Sequence, residues 1–196
     1  MIKPALSYLA LATLMAGSSL LMAFSSGPDP RLTNAPGDDV CRQCHGGTAL
    51  NGGPGSVRIK LPGSNSYTPG VTQRISVELS DPAQKRWGFE FTARLNSDLK
   101  NGQAGSLAKS DNNTQVICEN GSNAPCSAPG MVQFVTHTSA GTRNGTSGGV
   151  TFEFDWTPPA ADMGKVTFYV AGNAAMATEM RPAIESIRLP WNYPPP

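Results

Sequence analysis

Cys41, Cys44 and His45 stand in the order Cys41-Arg42-Gln43-Cys44-His45, and C-x-x-C-H is the spacing that fixes a haem to a chain and ligates its iron. Two thiols add to the vinyl groups of the porphyrin, and the histidine beside them is carried under the ring to bind the metal. The chain has four cysteines and two histidines, so this pentapeptide takes half of each. A redox-active C-x-x-C pair would call for the start of a helix in a βαβ setting, where the thiol pKa is lowered; the sequence shows no such setting. A zinc site would need four ligands. The expectation is one covalent haem c, with Cys41 and Cys44 as thioether attachments and His45 as the proximal iron ligand.

The sixth iron position is open to several residues. His137 is the second histidine. On a strand over residues 131–137, Val132, Phe134 and Thr136 would share the main apolar face, and Met131, Gln133, Val135 and His137 the other. His137 would then point away from the core, which suits a ligand to a haem packed outside the domain and equally suits a solvent-exposed histidine. Met131, Met163, Met176 and Met180 are rival ligands and would raise the potential relative to a second histidine. A five-coordinate iron, open to oxygen, nitric oxide or peroxide, is the third option.

Other patterns are plainer. Cys118 and Cys126 are eight apart, with Gly121, Asn123 and Pro125 between them, and in an exported protein such a pair closes a disulfide across a surface loop. Formal net charge is +1, and the 15 basic and 14 acidic residues form no runs. That gives no footing for nucleic acid or an anionic membrane surface. No nucleophile motif accompanies His137, and the glycines from Gly46 to Gly55 follow a haem motif and precede a strand, so they form no phosphate cradle. Electron transfer without catalysis is the expectation.

The elements that must carry these residues divide the chain into four parts. Residues 1–25 carry Lys3, then an uncharged apolar run from Leu6 to Phe24 with small residues at its end, the pattern of a secretory signal. Cleavage after Ser25 and after Ala23 both satisfy the small-residue rule. A periplasmic or secreted location follows, with no stable membrane span once the signal is removed. Residues 26–55 are rich in Gly, Pro, Asn and Asp and read as a loop-like arm that bears the pentapeptide. Residues 56–190 form the domain, and residues 191–196 a Pro-rich tail, which the run of prolines would extend back to Pro190.

Within the domain, apolar residues alternate with polar ones. Val57, Ile59 and Leu61 do so, as do Val71, Ile75, Val77 and Leu79, with Gln73 as the exception. Trp87, Phe89, Phe91, Ala93 and Leu95 face one way, and Gly88, Glu90, Thr92 and Arg94 the other. Val150, Phe152, Phe154 and Trp156 repeat the pattern, followed by Val166, Phe168 and Val170. Period two with one apolar face marks a half-buried antiparallel strand. Weaker candidates at residues 115–119, 131–137 and 184–189 bring the total to about eight strands. Asn101-Gly102, Asn120-Gly121 and Asn144-Gly145 supply turns, and residues 174–178 could form one helical turn. The predicted fold is all-β, an antiparallel β-sandwich of immunoglobulin-like type.

With motif and strands in place, the chain resembles the bacterial reeler-type domain family that begins with a C-x-x-C-H segment, the choice-of-anchor V proteins. The resemblance is carried by Ala35-Pro36-Gly37-Asp38 leading into Cys41, by Asn51-Gly52-Gly53-Pro54-Gly55-Ser56-Val57, and by Tyr67-Thr68-Pro69-Gly70. Trp87-Gly88-Phe89-Glu90, His137-Thr138, Phe154-Asp155-Trp156-Thr157-Pro158-Pro159, Val166-Thr167-Phe168-Tyr169 and Ala171-Gly172-Asn173-Ala174-Ala175 extend it. It departs at Met176 and at residues 178–182, where such proteins carry an Asn and a Gly-Asp turn. The resemblance implies a reeler-type sandwich and favours His137 as the distal iron ligand.

Two functions follow from these residues. The first is an exported monohaem c-type cytochrome with a bis-histidine haem, His45 and His137 binding the metal, that passes electrons to redox partner proteins. Stacking of haems between copies would make it a link in a larger assembly. The second is a surface adhesion or carbohydrate-binding module with a structural Cys41–Cys44 clip, whose aromatic contacts would be Tyr67, Tyr169, Trp191 and Tyr193.

Overall fold

The structure is a computed structural model that describes residues 26–41, 49–63 and 66–176 and the backbone of Ala183–Trp191. The predicted secretory segment, Cys44, His45 and Met180 lie outside the described residues. No helix among the described residues is long and apolar enough to cross a membrane.

Nine strands are present among the described residues: β1 Ser56–Lys60, β2 Gln73–Asp81, β3 Arg86–Leu95, β4 Ser106–Lys109, β5 Thr114–Cys118, β6 Gln133–His137, β7 Gly148–Thr157, β8 Val166–Ala175 and β9 Ala183–Trp191. They form two antiparallel sheets, ordered β1-β2-β7-β4 and β5-β6-β3-β8-β9. The chain is a β-sandwich. β4, with a single buried residue, Leu107, was not predicted: four residues with one apolar side chain leave too little alternation to read. The expected helical turn at residues 174–178 is replaced at its start, because Ala174 and Ala175 complete β8 and pair with Trp87 and Arg86. Pro190 belongs to the last strand rather than to a tail, and it is tolerated because β9 is the edge of its sheet.

The core between the sheets is built from the predicted alternating faces. Ile75, Val77, Phe152, Phe154 and Trp156 of one sheet meet Trp87, Phe89, Phe91, Phe168 and Val170 of the other. Their rings interlock: Phe89 stands 4.4 Å from Phe152, Phe91 4.7 Å from Phe154, and Trp156 meets Phe168 edge to face at 4.9 Å. Aromatic pairs of this kind add about 1 kcal/mol each beyond the area they bury.

The opposite face of the five-stranded sheet is also covered. Glu90, Thr92 and Arg94 on β3, Thr136 on β6 and Thr167 on β8 are buried although they are polar. Residues 26–41 lie across them, with Thr33 and Ala35 themselves buried, so this length of the predicted arm forms a third layer.

Candidate functional site

The arm is held by charge. Asp38 and Arg94 form an ion pair, 2.9 Å from Oδ2 to Nη2, in which both side chains are fully buried. Arg94 also donates from Nε to Thr92 Oγ1 at 3.1 Å and from Nη1 to the Lys100 carbonyl, and its guanidinium lies 5.2 Å over the Phe134 ring. Burial lowers the Arg94 pKa and Asp38 raises it again. Arg31 reaches Asp38 at 3.2 Å and pairs with Glu119. Each charge removed from water is thus met by an opposite one, which a buried ion needs if it is not to destabilise the fold.

This anchoring brings Cys41 down onto the sheet. Its side chain is buried against Ala171 of β8, with Leu50 packed at the edge, and its thiol donates to the Leu32 carbonyl at 3.9 Å. Ala171 is the cross-strand neighbour of Glu90. Glu90 accepts the Leu32 N–H at Oε2, while its Oε1 has no hydrogen-bond partner among the described residues. Burial holds this carboxyl well above the usual carboxylate range; the Leu32 N–H opposes the rise and Asp38 adds to it.

His137 sits one rung along. The last β3–β6 ladder pair is Glu90–Thr136. At the next level His137 Nδ1 accepts the Phe89 N–H at 3.2 Å and stands 3.4 Å from the Phe89 carbonyl oxygen. The imidazole thus occupies a place where a ladder carbonyl would otherwise be. It lies against Gly88, where a Cβ would come within 2.8 Å of Cε1. Trp87 and Phe89 point into the inter-sheet core, so that missing side chain, and the ring in its place, belong to the face covered by the arm.

The faces of β6 differ from expectation. Val135, not Phe134, joins the inter-sheet core, while Val132 and Phe134 form a separate cluster with Ile117. Gln133 faces inward too and binds the Leu107 N–H through Oε1 at 2.8 Å, linking the two sheets. His137 is only 8 % exposed, so of the two predicted settings the solvent-exposed one does not apply.

Among the described donors, fit to a covalent haem can be judged at Cys41 and His137. A thioether is apolar, and the burial of Cys41 against Ala171 suits it. His137 can bind a metal through Nε2 in the tautomer that carries its proton on Nδ1; that tautomer exchanges the bond from the Phe89 N–H for donation to the Phe89 carbonyl, 3.4 Å away. Ala171 and His137 are separated by β3, two strand spacings or roughly 10 Å. Both residues fit. Among the described residues no three His, Cys, Asp or Glu side chains gather into a metal site of their own.

The other predicted residues separate from this place. Cys118 and Cys126 form the disulfide, with Cα atoms 5.7 Å apart. Met163 and Met176 are exposed at 49 % and 41 %; Met176 follows Ala171 by five residues and Met163 precedes it by eight. Met131 lies before the start of β6, at the far end from His137. Tyr67 and Tyr169 are buried, Tyr67 donating to the Gly164 carbonyl at 2.7 Å and meeting Trp156 edge to face. They are unsuited to surface contacts. The side chains of Trp191 and Tyr193 lie outside the described residues. An open groove of about 1030 Å³ at the β4–β5 edge is lined by Leu107, Lys109, Gln115 and Cys126, and also by Thr138 and by Thr114, the ladder partner of His137; Cys41 does not line it.

Sequence reading did not single out Asp38, Glu90 or Arg94. Glu90 and Arg94 were on the polar face of a predicted strand, and the signal was there: two charged residues on the central strand of a domain with few charges. Gly88 was visible only as one small residue in the alternation.

No family model matches the sequence, and no curated protein matches it. Among solved structures the chain is similar to the human F-spondin reeler domain, at 20% identity over 76% of this chain and 94% of that one, with a TM-score of 0.47. It is also similar to the major pilin SpaD from Corynebacterium diphtheriae, at 10% identity over 69% of this chain and 35% of that one, TM-score 0.42. A cohesin module from a Clostridium perfringens family 33 glycoside hydrolase matches at 12% identity over 71% of this chain and 98% of that one, TM-score 0.38.

Proposed function

We propose that this chain is an exported monohaem c-type cytochrome of reeler type, and that its work is electron transfer. The observation that carries the reading is the placement of Cys41 and His137. The first cysteine of a C-x-x-C-H motif, at the end of the described arm, and the second histidine of the chain are both buried at neighbouring rungs of one sheet. Cys41 and Cys44 would hold the haem through thioethers, and His45 and His137 would bind its iron. When bound, such a haem supplies a one-electron couple, and two imidazoles set its potential lower than an imidazole and a thioether would.

The chain's own residues have separable tasks in this reading. The Asp38–Arg94 pair holds the arm so that Cys41 stays on Ala171. Phe89 orients the imidazole through its backbone. The covered face, with Glu90, Thr92 and Arg94 buried, would limit the access of water to a haem held there. A scattered surface charge offers little long-range steering, so a redox partner would be recognised by close contact.

The test is the visible spectrum of the protein purified after export, with dithionite added. A sharp α band of a low-spin reduced haem that stays with the chain after denaturation is the expected result. Absence of the band would end the cytochrome reading. His137→Ala should convert the spectrum to high spin; an unaltered low-spin spectrum would pass the sixth position to another residue.

A further inference from the structure

How His137 comes to face the arm has a specific cause. Alternation along β6 sends Gln133 and Val135 toward the other sheet, and would send His137 the same way. Instead the imidazole lies across the end of the β3–β6 ladder, in the space that a side chain at residue 88 would fill. A Cβ there would stand 2.8 Å from Cε1, closer than packed atoms tolerate, and in tight contact with Nδ1 at 3.1 Å and Nε2 at 3.2 Å, so that the ring would have to shift. Backbone conformation gives no reason for this glycine. Gly88 is paired within β3 and is not among the residues with positive φ, and a glycine inside a strand weakens it.

We propose that Gly88 is the positioning residue for the distal iron ligand, an inference that rests on the cytochrome reading. By carrying no side chain it admits the imidazole to the face where Cys41 is held. With the ring there, Nδ1 lies between the N–H and the carbonyl oxygen of Phe89. These two contacts belong to opposite tautomers: with the proton on Nε2 the ring accepts the Phe89 N–H, and with the proton on Nδ1 it gives up that bond, donates to the Phe89 carbonyl and leaves the Nε2 lone pair for a metal. A side chain at 88 would drive the ring off this place and break that pairing.

The experiment compares the exported wild-type chain with Gly88→Ala, Gly88→Ala/His137→Ala and, as a control, Gly172→Ala. Gly172 faces the inter-sheet core, where a Cβ would press on Leu79 and Val57, so this change should lower Tm and leave the iron ligands alone. Gly88→Ala should lower Tm, shift the His137 imidazole resonances, and move the haem spectrum toward high spin with a changed reduction potential. In the double variant most of the Tm loss should disappear relative to His137→Ala alone.

Unmoved imidazole resonances and an unaltered low-spin spectrum in Gly88→Ala would overturn the proposal. So would a Tm loss that persists in full when His137 is alanine, or a double variant that fails to fold as the single one does. Folding of the double variant where Gly88→Ala alone fails supports it. If the wild-type chain carries no haem, the cytochrome reading falls, and the resonances and the Tm comparison still decide whether Gly88 places the imidazole.

Discussion

The two faces of β3 are equally buried and differently made. Toward the other sheet, Trp87, Phe89, Phe91 and Ala93 pack against apolar partners. Toward the arm, the same strand presents Gly88, Glu90, Thr92 and Arg94, each buried side chain held by a named hydrogen bond or ion pair. An apolar face tolerates any neighbour of suitable shape, whereas a polar face can be covered only by a partner that supplies the right groups at the right places. The arm is that partner. The apolar face makes the domain stable, and the polar face makes one length of chain sit in one register.

The largest loss of stability is expected on the apolar side. Phe91→Ala should cost about 3–5 kcal/mol by urea unfolding, with the axial ligands of any surviving folded protein unchanged. Asp38→Ala comes next. It leaves Arg94 charged in a buried place, at about 3 kcal/mol, and should also release the arm, read as new proteolytic cleavage before residue 41 while the sandwich stays resistant.

Glu90→Gln sharpens the contrast through pH. Because burial raises the folded-state pKa of Glu90 above its ordinary 4.5, the folded chain holds this proton more tightly than the unfolded chain does. The contribution to stability is therefore complete below the ordinary value and is lost as pH rises toward the raised one. Wild-type Tm should fall across that window more steeply than that of Glu90→Gln, which keeps an acceptor for the Leu32 N–H. At pH 8 the variant should be the more stable by on the order of 1 kcal/mol. Smallest of all, Arg74→Ala removes an exposed pair with Asp155 on the far sheet, and its unfolding curve should overlay that of the wild type.

Much of this arrangement was legible in the sequence, for a physical reason. Period-two alternation is written in the side chains themselves, so β1, β2, β3, β7 and β8 could be read directly. The short loop between Cys118 and Cys126 likewise left one simple partner for each. Burial of a polar face is not written in any local run: Glu90 and Arg94 looked solvated because the chain that covers them lies more than fifty residues earlier. The faces of β6 were read inverted because Phe134 is as apolar as any core residue, although its place is beneath Arg94. His137 was found by its rarity. Its ring lies against a glycine three strands earlier in sequence, Gly88 on β3, and spacing does not report that.

The arm's contacts are with residues far along the chain: Leu32 with Glu90, Asp38 with Arg94, Arg31 with Glu119 and Ser26 with Gln115. Their partners lie on β3 and on or just after β5, and contacts of such sequence separation carry a large loop-closure cost. Residues 26–41 thus come first in the chain and close their contacts across its longest separations. Cys41, buried in the finished protein, is open to chemistry for as long as the sheet takes to form.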